Sequence, residues 1–217
     1  NVTVLATNAF GSGSAACAFT NVIFDSTNGA LLASIPASKV VSLTLGAKVG
    51  DVTGEALAAY TALASVTIDE DSTRYSKDPN GVLYSYARTK LIRYPAGKTA
   101  TAYQDYVPTL LRQVDAYAFA YAKALTLIDL SKTSLTSIGA FAFIGCSSLQ
   151  RVLLPATVTS VGDGAFTGCA HLEIVEFAGD APTFGANAFS NSNPLVVIQA
   201  GATGWNEAAA LYGFTLY

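Results

Sequence analysis

Two octets of this chain are nearly identical: AFIGCSSL, from Ala142 to Leu149, and AFTGCAHL, from Ala165 to Leu172. Their offset of 23 residues (165 − 142 = 23) is the strongest constraint the sequence places on its fold. A unit that short cannot bury its own apolar side chains, so each copy must borrow surface from its neighbours. The Ala-Phe pair recurs at Ala118-Phe119 and Ala188-Phe189, and other columns travel with it. Four residues before the alanine stand Val114, Ile138, Val161 and Phe184; six after the phenylalanine stand Leu125, Leu149, Leu172 and Leu195. Three further on come Ile128, Val152, Val175 and Ile198, then Leu130, Leu154, Phe177 and Ala200.

Carried backwards, the template finds Ala56-Leu57, with Val52 ahead of it and Leu63, Val66 and Ile68 behind, and a stretched unit at Ala9-Phe10 that starts from Leu5. Two segments fall outside it, near residues 28–45 (NGALLASIPASKVVSLTL) and 80–95 (NGVLYSYARTKLIRYP). Each opens on Asn-Gly and holds two β-prone runs around a polar connection, which reads as a hairpin standing off the coil. The chain then divides into degenerate repeats with insertions over 1–113, regular repeats of 23–24 residues over 114–200, and a C-terminal cap over 201–217. In the cap, GWNEAAALYGFTLY breaks the period and predicts a short helix and a closing strand, with Trp205 as a plug.

After the leucine column, runs such as LQRVLLP alternate about apolar positions and predict short strands stacked in parallel. Phe143, Phe166 and Phe189 then pile into a ladder, and removing one ring costs about 3–5 kcal/mol. The stretch LTSIGAFAFIGCSSLQRVLLPATVTSVGDGAFTGCAHLEIVEF resembles the BspA-type leucine-rich repeat, closely over Leu135 to Phe177 and well over Val114 to Ala200. DEDSTRYSKDPNGVLYSYARTKLIRYPAGK also looks like that family's hairpin insert. The resemblance implies a secreted or surface-anchored protein of a host-associated microbe, with adhesion among the family's roles and no catalytic residues. The expected fold class is an α/β solenoid, a right-handed leucine-rich-repeat coil with a parallel concave sheet, two β-hairpin insertions and a C-terminal cap.

Composition narrows the partners. The net charge of −3 leaves no basic footprint for nucleic acid or an anionic lipid surface, and no apolar run reaches the ~18 residues that span a bilayer. No cofactor motif is present: GSGS (11–14) lacks the Lys-Ser/Thr of a phosphate loop. His171 is the single histidine and reads as a turn residue rather than a base or a zinc ligand. A calcium loop begun at Asp69 would put Arg74 where glycine belongs and Asn80 where glutamate belongs, so no metal site is expected. Glu173 and Glu176 lie three apart on one strand, a poor layout for paired acid–base work. Cys17, Cys146 and Cys169 cannot all pair internally; the last two share a column and read as buried thiols, with a cross-link the alternative.

Binding is therefore read from surfaces. The columns between the buried ones run Asn21, Ser65, Leu127, Arg151, Ile174 and Val197, then Ile23, Thr67, Asp129, Leu153, Glu176 and Gln199. Leu127, Leu153, Ile174 and Val197 make an apolar strip bordered by Asp129, Arg151 and Glu176, which is either a partner site or ordinary cross-strand packing. Tyr84 and Tyr94 belong to a tyrosine cluster beside Arg88, Lys90 and Arg93, and either bind a partner or pack the second hairpin. The expected role is a noncatalytic binding module at a cell surface or in the extracellular space, taking a protein ligand such as a host extracellular protein. A spacer presenting another domain and a glycan-binding accessory module are the alternatives.

Overall fold

Runs such as RVLL and IVEF send alternate side chains to opposite faces, and the structure pairs them edge to edge, burying one face of each. This computed structural model describes residues 2–4, 20–212 and 214–217; the proposed unit at Ala9-Phe10 and Cys17 lie outside them. In chain order the elements are β1 (Val2–Val4), β2 (Asn21–Phe24), a short 3-10 helix (Gly29–Ser34), β3 (Ser42–Leu45), β4 (Ser65–Ile68), β5 (Tyr75–Lys77) and β6 (Leu83–Ser85). Next come β7 (Lys90–Arg93), β8 (Ala102–Tyr103), β9 (Gln113–Val114), β10 (Leu127–Asp129), β11 (Ser137–Ile138) and β12 (Arg151–Leu154). The chain closes with β13 (Ser160–Val161), β14 (Ile174–Phe177), β15 (Thr183–Phe184), β16 (Leu195–Ile198), α1 (Trp205–Tyr212) and β17 (Thr215–Leu216). The result is a parallel β-solenoid of about eight turns with few helices.

Three sheets carry it. A four-stranded sheet runs β1-β2-β3-β4, and a six-stranded one runs β8-β10-β12-β14-β16-β17; both are parallel throughout. The third is seven-stranded, β5-β6-β7-β9-β11-β13-β15, and turns antiparallel only across β5, β6 and β7.

The segment at 28–45 is not a hairpin. Its second half, β3, pairs in parallel between β2 and β4 with Asn21, Ser42 and Ser65 in register, so it is a full rung of the coil. Leu32 fills the buried column that phenylalanine holds later, and Val40 the leucine column. The 3-10 helix and the Ile35-Pro36 stretch lengthen the turn between them, which hides the period.

The segment at 80–95 does contain a hairpin, β6 with β7, but it does not stand off. Tyr75, Leu83 and Ile92 belong to one apolar core, built from Val22 to Ile92; Val82, Tyr84, Leu91 and Tyr94 belong to the other, which runs on to Phe214. The antiparallel strands thus form a partition with a core on each face. Consecutive apolar residues on such strands are what burial on both faces requires. At the far end the turn at Gly81 rests against the backbone of β4 at Ser65 and Val66.

From that partition onward one column of rings runs through the coil. Tyr94 stacks on Phe119 at 5.4 Å between centroids. Phe119–Phe143, Phe143–Phe166 and Phe166–Phe189 follow at 5.1, 4.8 and 5.2 Å, with interplanar angles falling from 20° to 7° to 3°. Backbone hydrogen bonds hold the rungs in step: the N–H of Tyr94, Phe119, Phe143 and Phe166 donates to the carbonyl of Ala118, Ala142, Ala165 and Ala188 respectively. Cys146 and Cys169 serve the same stack. Each thiol donates 3.1 Å to a phenylalanine carbonyl of the rung before, at Phe119 and Phe143, and the Ser192 hydroxyl does so at 2.6 Å to Phe166. Both cysteines are buried and free, and burial, then the neighbouring Cys169 thiol, pushes the Cys146 thiol well above its usual range. At the C-terminal end Trp205 is buried against Phe177 at 4.9 Å and donates from Nε1 to the Gly179 carbonyl, while β17 pairs with β16.

Candidate functional site

The outer face of the six-stranded sheet is set by register. One row crosses it as Ala102, Leu127, Arg151, Ile174, Leu195 and Thr215; the next carries Asp129, Leu153, Glu176 and Val197. The last rung corrects the sequence reading: Leu195, not Val197, stands beside Ile174, and Val197, not Gln199, beside Glu176. The turn between Phe189 and Val196 is two residues shorter than that between Phe166 and Val175. A slip of two keeps the same side chains facing out, since strand faces alternate with a period of two.

Leu127, Leu153, Ile174, Leu195 and Val197 are half-buried, and Arg151 forms an ion pair with Glu176 across the rung. The Arg151 side chain is half exposed, so solvent screens the pair, which orients two side chains more than it stabilises the fold. Beyond the strand ends lies a shallow depression of about 300 Å³, reached by Leu153, Glu176, Val197 and Gln199. Asp129 is fixed at the same edge, its Oδ1 accepting from the Ser131 N–H at 2.9 Å and from the Ser131 hydroxyl at 2.6 Å. The four-stranded sheet presents Asn21, Ser42 and Ser65, then Ile23, Thr44 and Thr67, in the corresponding rows. Large apolar side chains are thus clustered on the later rungs, while the earlier sheet shows a single one, the exposed Ile23.

The tyrosines do not form one exposed cluster. Tyr84 and Tyr94 are buried and cannot offer a ring to a partner: Tyr84 bonds the Tyr103 hydroxyl, and Tyr94 is the first ring of the aromatic column. Burial pushes Tyr94 up to about 12, and burial also raises Tyr60, Tyr84 and Tyr103 above the usual tyrosine range. Asp78, enclosed beside Tyr84, is raised too, by desolvation, while its Oδ1 accepts from the Val82 N–H at 2.9 Å. Tyr86 and Tyr106 do stay exposed.

Sequence reasoning sets Arg93 among the charges beside the tyrosine cluster and misses its burial. Arg93 takes the place of alanine in the Ala-Phe pair and is fully buried; Nη1 donates 2.6 Å to the Tyr117 carbonyl, while Nε and Nη2 find no partner among the described residues. Desolvation lowers it to about 10, so it remains charged at neutral pH. His171 is exposed and pairs through Nδ1 with the Ser147 carbonyl. Among the described residues no group of three or more His, Cys, Asp or Glu is placed to share a metal, and no helix is long and apolar enough to cross a membrane.

Residues 106–203 match the BspA type leucine rich repeat region, in six copies. Among solved structures the chain is similar to a leucine-rich repeat protein from Eubacterium ventriosum, at 26% identity and a TM-score of 0.63 over 73% of this chain and 42% of that one. It also shares its fold with the pneumococcal vaccine antigen PcpA (22% identity, TM-score 0.65, 85% of this chain and 44% of that one). A leucine rich cell surface protein from Faecalibacterium prausnitzii has the same fold (20% identity, TM-score 0.67, 91% and 50%). The chain thus spans half or less of the length of these structures. No curated protein matches it.

Proposed function

We propose that this repeat region is a noncatalytic binding module, displayed at a cell surface or secreted, that docks a protein ligand on the outer face of the six-stranded sheet. The observation that carries the reading is the clustering of half-buried Leu127, Leu153, Ile174, Leu195 and Val197 on adjacent rungs, where the earlier rungs carry Asn, Ser and Thr around a lone Ile23. An apolar strip with a charged border is how transient protein interfaces are built. Arg151, Glu176 and Asp129 supply that border and set orientation rather than most of the affinity. The fold is shared with a protein named as a cell surface protein and with another named as a vaccine antigen, which supports the extracellular placement. Adhesion to a host extracellular protein is the role this placement favours.

The test is binding of the 217-residue chain to a panel of purified plasma and extracellular-matrix proteins, against the double variant Arg151→Glu, Leu153→Asp. At least one protein should bind, and the variant should weaken it tenfold or more with its thermal melt unchanged. Equal binding by both proteins would rule out this face.

A further inference from the structure

The loop after β8 departs from the coil's rhythm. From Ala102 to Gln113 the chain takes two residues more than from Arg151 to Ser160 or from Ile174 to Thr183. The longer path, Gln104 to Thr109, bounds a cleft of about 380 Å³ with the end of β10, and Asp129, Lys132 and Thr133 form the opposite wall. That volume falls within the range of small-molecule sites, about 300–1,000 Å³. Tyr106 lines the cleft with 63% of its surface exposed and its backbone in the left-handed region at φ 63°. That backbone region disfavours bulky side chains, yet here it holds a tyrosine whose ring stays on the surface at the cleft.

The polar groups around it are arranged for a ligand with many hydroxyls. Ser131 holds Asp129 through Oδ1, which leaves Oδ2 without a hydrogen-bond partner among the described residues. Asp105 and Lys132 are exposed at the cleft and have no ion-pair partner among the described residues; Gln104 adds an amide. Carboxylates accept from hydroxyl pairs, the ammonium and amide donate to ring and hydroxyl oxygens, and the aromatic face packs on C–H groups. A phosphate or sulfate ligand would face two carboxylates against one ammonium. An extended peptide would want a free strand edge, but the cleft lies past the end of β10, which is paired on both sides.

We propose that this cleft binds a neutral carbohydrate, one or two hexopyranose units of a glycan, with Tyr106 as the stacking platform and Asp105, Asp129 and Lys132 as the hydroxyl-reading groups. The site is separate from the sheet face proposed above for a protein ligand, sharing only Asp129 with it.

Saturation-transfer NMR and calorimetry on the 217-residue chain, with glucose, galactose, mannose and N-acetylglucosamine and their common disaccharides as probes, test this directly. At least one sugar should bind, with saturation strongest on the C–H face of one ring. Tyr106→Ala should weaken it tenfold or more, Tyr106→Trp should keep it, and Asp105→Ala with Lys132→Ala should weaken it with no loss in thermal melt. Ile174→Asp, two rungs away from β10, should leave sugar binding unchanged, whatever it does to a protein ligand. Failure of every sugar to bind, binding that survives Tyr106→Ala, or a cleft that binds only a protein or peptide overturns the proposal.

Discussion

The two cores of this molecule are built on one plan with different materials. On the N-terminal side of the partition, Leu32 and Leu57 occupy the column that Phe119, Phe143, Phe166 and Phe189 fill on the other. Both sides keep parallel strands in register, so the backbone ladder and a buried apolar column suffice to make a rung. What the aromatic side adds is repetition of a specific contact. As the period settles at 23, the rings approach parallel, from 20° to 3°. The N-terminal core instead relies on individual ties, such as the Tyr60 hydroxyl donating to the Leu32 carbonyl at 2.9 Å, and the Val52 N–H donating to the Tyr75 hydroxyl at 2.7 Å. Lys90 and the Gly54 N–H both bind Asp115, which fastens the partition to its neighbours.

The largest way to break the comparison is to remove a ring that has neighbours on both sides. Phe143→Ala should cost about 3–5 kcal/mol in denaturant unfolding, and Leu32→Ala about 2–5 kcal/mol. The difference should show in hydrogen exchange: the first should strip protection from the later rungs and leave β2 to β4 protected, and the second the reverse.

Alkali separates the regions by another route. Tyr60, Tyr84, Tyr94 and Tyr103 have folded values above the ordinary tyrosine value of 10.0 because they are buried. Their protonated forms are favoured by folding, so the stabilisation is complete below pH 10 and is lost as pH rises through the folded values. Between pH 10 and its folded value each of these groups should lower stability by about 1.4 kcal/mol per pH unit. Three of the four lie at or beside the partition, so its amides should lose exchange protection before those of β12 to β16. A flat stability profile between pH 9.5 and 11.5 would contradict this reading.

Two smaller changes sharpen the account of the regular rungs. Cys169→Ser should cost less than about 1.5 kcal/mol in a thermal melt, because Ser192 already makes the same bond one rung on. Cys169→Val takes the thiol donor from the Phe143 carbonyl, which keeps only the Cys146 N–H at 3.2 Å, and should cost more. Tyr121 stands at φ 61° in a left-handed column otherwise held by Gly145, Gly168 and Asn191. Tyr121→Asn should raise stability by a few tenths to about 1 kcal/mol, read as a higher Tm, since asparagine tolerates that backbone better.

These regions also differ in how openly the sequence declares them. Where the rings repeat, spacing alone was enough to read the rungs, and the face holding Leu127, Arg151, Leu153, Ile174 and Glu176 followed from alternation. The rung at β3 escaped because Leu32 carries no aromatic signature and its turn is longer. Leu195 was misplaced because the final turn is shorter, and spacing counts residues without sensing turn length. The partition carries its own signal: VLY and LIRY are unbroken buried runs, and Tyr94 precedes Phe119 by 25 residues (119 − 94 = 25), two more than the regular step of 23. Nothing in the spacing announces the cleft at Tyr106, which depends on a lengthened loop and a left-handed backbone.

A double-mutant cycle on the ring column tests the whole scheme most directly. Phe143→Leu and Phe166→Leu, alone and together, should show a coupling of about 0.5–1.5 kcal/mol in unfolding free energy, the worth of a stacked aromatic pair beyond its area. The same cycle on Phe119 and Phe189, which have two rings between them in the column, should give no coupling beyond error. Strict additivity for the adjacent pair, or equal coupling for the distant one, would mean that the rings do not form a continuous spine.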